Sequence, residues 1–159
     1  MTSFALVNVF QNRENYAWDN GICDTANPYW KFKGATEVVV TNNLSLEAVQ
    51  ALGSAGIAEL AMAQSELQTK PNGYFEYDFL EFTLVELSDA VVDAVMERIL
   101  SCDEGYDRDL SYFIYNSYEL NLTEYAVEWA INELVERKAI TIEGVGHTRY
   151  LSVAELEAA

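Results

Sequence analysis

The sequence predicts an α+β fold, in which a small antiparallel sheet with one packed helix is followed by a helical part that ends in a β-hairpin. Two observations predict this class. In the first half, segments rich in β-branched and aromatic residues lie on both sides of a segment with helical periodicity. In the second half, three helical segments precede a short hairpin pattern. Half of the 159 residues are hydrophobic, which is enough for a folded core.

Residues 1–87 are predicted to form the sheet and its helix. Residues 4–10 are mostly apolar, with β-branched and aromatic side chains, and predict a strand. Residues 11–29 are rich in Asn and predict a long loop or an irregular hairpin. The alternation of apolar and basic residues at 30–33, and the β-branched run at 36–41, predict two further extended pieces.

A helix and a long strand complete this first part. The helix is predicted to begin after Ser45, a common N-cap residue, and to end before the turn signal at 71–73. Residues 74–87 form the strongest β pattern of the chain. Their apolar alternation changes phase at Phe79 and Leu80, which predicts a bulge or bend there.

Residues 88–159 are predicted to form the helices and the hairpin, joined to the first part without a linker. Ser88 is expected to cap the first helix, and a short apolar helix follows at 110–118. A long helix is predicted from about 123 to 138, and the hairpin from 139 to 151. The tyrosines of the short helix are expected to pack in the core.

The order of predicted elements in residues 88–152 is similar to that of a known domain family. The stretch from Ala130 to Ile140, followed by residues 143–146 and 150–151, resembles the third helix and the wing of a winged-helix domain. The resemblance implies DNA binding through the third helix. That helix carries four carboxylates, however, and carboxylates repel phosphates. We therefore expect no direct binding to nucleic acid, and none to an anionic membrane.

The negative charge of the chain is concentrated in one region. Sixteen carboxylates and two arginines lie between Asn72 and Glu136, so this region carries −14 of the net charge of −17. Self-repulsion of that size destabilises a folded protein, and it exceeds the net charge of about 2–8 that keeps a small domain soluble. We therefore expect the carboxylates to bind a basic partner. The expected partner-binding residues are Glu76, Asp78, Glu81, Asp89, Asp93, Glu97, Asp103, Glu104, Asp107, Asp109, Glu124, Glu128 and Glu136.

Two other interpretations of these carboxylates stay open. A charged face often serves only solubility. Adaptation to high salt is the other interpretation, but it would spread the acidic residues evenly and leave few Asn residues, and the sequence does neither.

The sequence contains no catalytic signature. His147 is the only histidine and lies in a Gly-rich turn without an obvious partner for acid–base or nucleophilic chemistry. Asp103, Glu104, Asp107 and Asp109 offer the oxygen ligands that Ca²⁺ and Mg²⁺ prefer, but their spacing is not that of an EF-hand. An acidic loop is the simpler interpretation. We therefore predict no enzyme activity, no cofactor and no metal site.

Two aromatic residues are candidate interface anchors. Tyr16 and Trp18 lie among polar residues, and both side chain types offer a large contact area with a polar group at one end. Cys23 and Cys102, two isolated thiols, are typical of a reducing cytoplasm. The N-terminal residues lack the basic region and the long apolar core of a signal peptide, so a cytoplasmic location is expected.

These observations favour a non-enzymatic acidic inhibitor. Such a protein would occupy the basic nucleic-acid-binding channel of a nuclease or polymerase complex by imitating the phosphates of DNA. In size and composition the chain looks like the phage-encoded antagonists of restriction or CRISPR systems. The alternative is a winged-helix-like adaptor or transcriptional regulator that binds protein and is acidic only for solubility. Whether the chain forms a homodimer is left open.

Overall fold

The computed structural model describes residues 2–19, 30–67, 73–102, 108–145 and 149–153, with only the backbone at residues 18 and 19. The predicted α+β class is confirmed. The chain divides into two compact units, the sheet unit of residues 4–85 and the helical unit of residues 86–159 with residues 1–3. The units divide between Val85 and Glu86, whereas the sequence places the boundary between Leu87 and Ser88.

The sheet unit is built on a three-stranded antiparallel sheet. Strand β1 (Ser3–Asn15) lies in the centre, between β2 (Trp30–Leu44) and β3 (Phe75–Leu87). A four-residue helix, α1 (Tyr16–Asp19), follows β1. Residues 20–29, and with them most of the predicted loop, lie outside the described residues.

Strands β1 and β2 are longer than the sequence pattern predicts. The loop predicted from residue 11 is wrong for residues 11–15, which continue β1 and pair with β2 as far as Asn15 and Trp30. The two extended pieces predicted in β2 are one strand. Gly34 lies between them with φ +122°, beside a shift of the register. Only glycine adopts that angle readily, and a glycine in a strand often marks such a bulge.

Helix α2 (Leu46–Ala63) begins as predicted. The Ser45 hydroxyl accepts a hydrogen bond from the Ala48 amide at 3.0 Å. The helix kinks at Gly53, where φ is +66°. Ile57 and Ala61 are buried against Leu6 of β1, with partly buried Val40, Leu52 and Leu84 around them.

The packing of β3 agrees only in part with the predicted change of phase, because Leu80 and Phe82, which that change would turn inward, are 57% and 37% exposed. Phe79 contacts Phe10 edge to face, with ring centroids 5.8 Å apart, and Leu84 packs on the cluster around Leu6. Leu6 and Phe10 are four residues apart on β1 and therefore share a face of the sheet. Phe79 and Leu84 are five residues apart, so regular alternation would place them on opposite faces. Their packing on one face indicates a bulge between them.

The helical unit contains three α-helices, a 3₁₀ helix and a hairpin among the residues that the structure describes. The predicted turn at residues 71–72 and the loop at 103–107 lie outside those residues. Asp109 forms a single antiparallel bridge with Tyr150, and the Leu110 amide donates to the Arg149 carbonyl at 2.9 Å. The elements are α3 (Asp89–Ser101), α4 (Leu110–Tyr115), the 3₁₀ helix Asn116–Leu120, α5 (Glu124–Glu136), β4 (Ile140–Glu143) and β5 (Tyr150–Val153).

The core of this unit lies between α3 and α5, which pack on each other. Each of the two helices buries one side in this core, so the opposite side of each helix is exposed to solvent. The α5 helix is capped by Thr123, whose hydroxyl accepts from the Ala126 amide at 3.1 Å. The buried residues are Val91, Val92, Val95 and Ile99 on α3, and Ala126, Val127, Ala130, Ile131 and Leu134 on α5.

The tyrosines of the α4 region are exposed, so their predicted place in the core is wrong. Tyr112, Tyr115 and Tyr118 are 37%, 69% and 65% exposed, whereas Leu110 and Phe113 are buried. The physical reason is the length of the element. Only six residues form α4, and Leu110 and Phe113, three residues apart, already occupy its single inward side.

Candidate functional site

Three carboxylates form a row along the exposed side of α3. Asp89, Asp93 and Glu97 are exposed and follow one another at intervals of four residues, on the side away from the buried valines. Four residues of α-helix rise about 6 Å, so the row carries one carboxylate every ~6 Å. We call these three residues the α3 stripe.

Only the first member of the α3 stripe takes part in an ion pair among the described residues. The Arg137 guanidinium donates to Asp89 Oδ1 at 2.7 Å and lies 3.8 Å from Glu133 Oε2. The hydrogen bond from Arg137, and then its positive charge, hold the pKa of the Asp89 carboxyl below its ordinary value. No ion pair involves Asp93 or Glu97 within the described ranges. The pKa of Arg137 is raised by its hydrogen bond to Asp89 and, more weakly, by the negative charges of Asp89, Glu133 and Asp93, so Arg137 also attracts Asp93.

The carboxylates of α5 do not extend the α3 stripe. Arg137 contacts Asp89, so the flank of α5 that carries Glu133 and Arg137 faces α3. Glu124 and Glu128 precede these two residues by nine positions each, which is half a turn around a helix. They therefore lie on the opposite flank of α5. Glu136 is exposed at the end of the helix.

Two carboxylates of the sheet unit, Glu76 and Asp78, share ion pairs with one arginine, Arg13, which is far from them in the sequence. Arg13 Nη2 lies 2.9 Å from Glu76 Oε1 and 2.8 Å from Asp78 Oδ2. Glu81 of the same strand is exposed. No local pattern reveals the pairing of Arg13 with Glu76, because the two residues are 63 positions apart and meet only when β1 and β3 associate.

The remaining acidic candidates belong to the loop before α4. Asp109 caps α4, since its Oδ1 accepts from the Tyr112 amide at 2.9 Å. Asp103, Glu104 and Asp107 lie outside the described residues. Among the residues that are described, no group of three or more His, Cys, Asp or Glu side chains could hold a metal ion.

Of the two candidate aromatic anchors, Tyr16 and Trp18, the structure describes only the side chain of Tyr16. Tyr16 is 40% exposed, and the Lys31 ammonium lies 3.7 Å from the centre of its ring. That cation–π contact occupies part of the Tyr16 face. The Trp18 side chain lies outside the described part of the structure.

A cavity of about 200 Å³ lies in the helical unit, beside the last turn of α3 and the segment from α4 to the 3₁₀ helix. The sequence analysis did not identify it, because its walls come from positions up to 22 residues apart that have no common motif. Its lining includes an ion pair between Arg98 and Glu119. The other polar and aromatic residues in the lining are Ser101, Cys102, Tyr112 and Asn116.

Comparison of the chain with protein-family models, with curated proteins and with solved structures found no significant match. Within the described ranges, none of the helices combines the length and the apolar character that a membrane span requires.

Proposed function

We propose that the chain is a non-enzymatic acidic inhibitor that binds the basic nucleic-acid-binding channel of a nuclease or polymerase complex. Such an inhibitor would be a DNA mimic of the anti-restriction or anti-CRISPR type. It would be encoded by a phage and act in the cytoplasm of the host cell. The α3 stripe is the observation that carries this proposal. Its carboxylates are exposed, evenly spaced and held on a helix whose other side is buried.

The charge of the helical unit supports the same proposal. This unit contains sixteen carboxylates and five Lys or Arg residues, a net charge of −11, whereas the sheet unit contains ten and four, a net charge of −6. A surface of one sign attracts an oppositely charged partner over a distance of about a Debye length, ~8–10 Å at physiological salt. The attraction accelerates association and weakens as salt is added.

The spacing of the α3 stripe bears on how closely it imitates DNA. B-DNA carries one phosphate per ~3.4 Å of axis on each strand, but the strand winds around the axis, so neighbouring phosphates are farther apart than this rise. The ~6 Å between successive carboxylates of the α3 stripe is therefore close to the separation of neighbouring phosphates on one strand. Partner residues that contact two or three successive phosphates are the expected target.

A specific observation also favours the alternative of a winged-helix-like adaptor. The helical unit has the order helix, helix, helix and hairpin, and the Asp109–Tyr150 bridge joins the segment before α4 to the hairpin. Under this alternative the exposed tyrosines of the α4 region, not the carboxylates, would provide the contact. The affinity for the partner would then change little with salt.

Affinity capture at rising salt tests the proposal. The baits are the wild-type chain, an α3 stripe variant (Asp89→Asn/Asp93→Asn/Glu97→Gln), and a control that removes three exposed charges from the sheet unit (Glu47→Gln/Glu59→Gln/Glu66→Gln). All three are exposed to lysate of cells that carry restriction and CRISPR nucleases. We expect the wild type and the control to retain a nuclease or polymerase complex that elutes between about 50 and 300 mM salt.

The α3 stripe variant is expected to lose that complex. Equal retention on all three baits, or elution that does not depend on salt, would exclude the α3 stripe as the contact and favour the adaptor alternative.

A further inference from the structure

The sheet unit has two edge strands, and their charges differ. Strand β2 lies at one edge of the sheet and β3 at the other, with no further strand beyond either among the described residues. On an edge strand every second residue directs its N–H and C=O groups away from the sheet, where they are a template for another strand. Strand β3 carries four carboxylates and no basic residue, whereas β2 carries one carboxylate and two lysines.

The middle of β2 lacks the features that usually prevent an edge from pairing, which are lysines, prolines and bulges. Residues Gly34–Val39 pair with Val7–Asn12 of β1 in six consecutive pairs, and the register shifts lie on either side of this stretch. It contains no lysine and no proline, and Glu37 is its one charged residue. We call Gly34–Val39 the regular β2 segment.

The side chains of the regular β2 segment are incompletely covered. Ala35 is exposed, and Thr36, Val38 and Val39 are half-buried. A strand added beside β2 would cover their open flank, and β-branched side chains stabilise a sheet when they lie opposite one another on adjacent strands.

Charge selects the strand that fits this edge. The basic partner proposed above is attracted by carboxylates, whereas β2 has a net charge of +1. A second copy of β2 meets no such obstacle. In an antiparallel pair about a two-fold axis, the carboxylate of Glu37 lies opposite that of the other copy in one register alone, the register centred on Glu37.

We propose that the regular β2 segment pairs antiparallel with the same segment of a second copy, about a two-fold axis, and so joins two three-stranded sheets into one sheet of six strands. The joined sheet then has a β3 strand at each edge, and the carboxylates of β3 keep a third copy away. The inference does not depend on the proposed function, because its contact lies on β2 and the α3 stripe lies on the helical unit.

Analytical ultracentrifugation of the full chain tests the inference. Between about 1 and about 300 µM, we expect the mass to rise from that of one chain to that of two and to stop there. The dissociation constant should fall as salt rises from about 50 to about 300 mM, because salt screens the repulsion between two chains of net charge −17. Binding of the basic partner has the opposite salt dependence, so the two proposals are tested separately.

A matched pair of lysine variants locates the contact. Ala35→Lys/Val39→Lys places like charges of the two copies near each other, and should raise the dissociation constant at least ~10-fold. Leu80→Lys/Phe82→Lys adds the same charge to β3, at two exposed apolar residues, and should change the constant less than ~2-fold.

Amide hydrogen exchange of the wild type gives a second measurement, which serves even if a lysine variant unfolds. Alternate amides of the regular β2 segment should exchange more slowly at high protein concentration than at low concentration. A chain that stays monomeric, assembly beyond two copies, or a dissociation constant that rises with salt overturns the inference. Equal effects of the two lysine variants, or exchange of this segment that does not depend on concentration, overturn it as well. All of these results leave the proposed function untouched.

Discussion

Asn8 shows how one polar residue joins the helix of the sheet unit to its central strand. It is fully buried in β1, and its Nδ2 donates to the Ala61 and Gln64 carbonyls at 2.9 and 3.0 Å. These carbonyls belong to the end of α2, where the Ala61 carbonyl also accepts from the Gln64 amide at 3.2 Å. The amide of Asn8 therefore adds a hydrogen bond to each of the two carbonyls and ties the end of α2 to β1.

Replacement of Asn8 by aspartate should destabilise the sheet unit. Asn8→Asp exchanges the donor for a buried carboxylate that faces two carbonyl oxygens, and the expected loss is at least ~2–3 kcal/mol at neutral pH. Denaturant unfolding measures it. The control is Asn132→Asp, the same change at an exposed position of α5, which should cost less than ~1 kcal/mol because its new carboxylate lies four residues from Glu128 and from Glu136. Equal stability of the two variants would contradict the role of Asn8.

The pair of Asp89 and Arg137 makes a prediction about pH. Because Arg137 lowers the pKa of the Asp89 carboxyl, the pair stabilises the folded state above the pKa that Asp89 has when unfolded. This contribution is lost as the pH falls through the lower, folded-state pKa. A carboxyl NMR titration should find the Asp89 pKa below 3.8 in the wild type and close to that ordinary value in Arg137→Gln. An unchanged pKa in the variant would show that the pair does not form in solution.

Single residues explain which parts of the fold could be predicted. The caps at Ser45 and Thr123 depend on local chemistry, and the sequence identifies both helix starts to within about one residue. The side-chain cap predicted at Ser88 is wrong, because the Ser88 hydroxyl donates to Glu86 Oε2 at 3.0 Å instead of accepting from α3. The extension of β1 through Asn12 and Asn15 depends on pairing with β2, which is not local. The pairing of Arg13 with β3 is not local either, and for the same reason the sequence could not show it.

At the scale of elements, α3 meets two opposing requirements. Its buried side packs in the core of the helical unit, whereas its exposed side places like charges at successive i, i+4 positions. Like charges at that spacing destabilise a helix by about 0.2–0.5 kcal/mol per pair. A helix selected for stability alone would carry alternating signs there. The repulsion within the α3 stripe therefore does not stabilise α3, as expected if the stripe serves the proposed binding of a basic partner.

Neutralising part of the α3 stripe should stabilise the protein while weakening partner binding. Asp93→Asn/Glu97→Gln removes two like-charge pairs and spares the ion pair of Asp89, but it also removes the attraction between Asp93 and Arg137, so the free energy of unfolding should rise by at most ~0.5 kcal/mol. Glu47→Gln should act in the opposite direction, because Glu47 lies in the first turn of α2 and favours the helix dipole. A loss of stability in the double variant would mean that α3 needs these charges.

The α4 region shows where reasoning by element fails. Helical spacing predicts that Tyr112 and Tyr115 share a side, and both are exposed, because spacing alone does not tell which side of a short helix is buried. The sequence also carries no sign of the cavity, which forms only when the end of α3 meets α4 and the 3₁₀ helix. Of the candidate site, the sequence supplied the acidic residues and the four-residue spacing of Asp89, Asp93 and Glu97, but not the ion pair of Asp89 with Arg137.

At the scale of the whole molecule, the negative charge is divided unequally between the two units. The helical unit carries −11 and the sheet unit −6, a sum that already includes the charge of Arg13 beside Glu76 and Asp78. Within the helical unit the described acidic residues do not form a single belt. The α3 stripe lies on one flank of the α3–α5 pair and Glu124 and Glu128 on the other.

Competition with duplex DNA tests the central claim most directly. A nuclease or polymerase complex retained by the wild-type chain is mixed with labelled duplex DNA, and each variant is titrated into the mixture. We predict that the wild type and Glu47→Gln/Glu59→Gln/Glu66→Gln displace the DNA at similar concentrations, and that Asp89→Asn/Asp93→Asn/Glu97→Gln requires at least ~10-fold more. Displacement by the α3 stripe variant at the wild-type concentration, or DNA that stays bound at saturating wild type, would contradict the account.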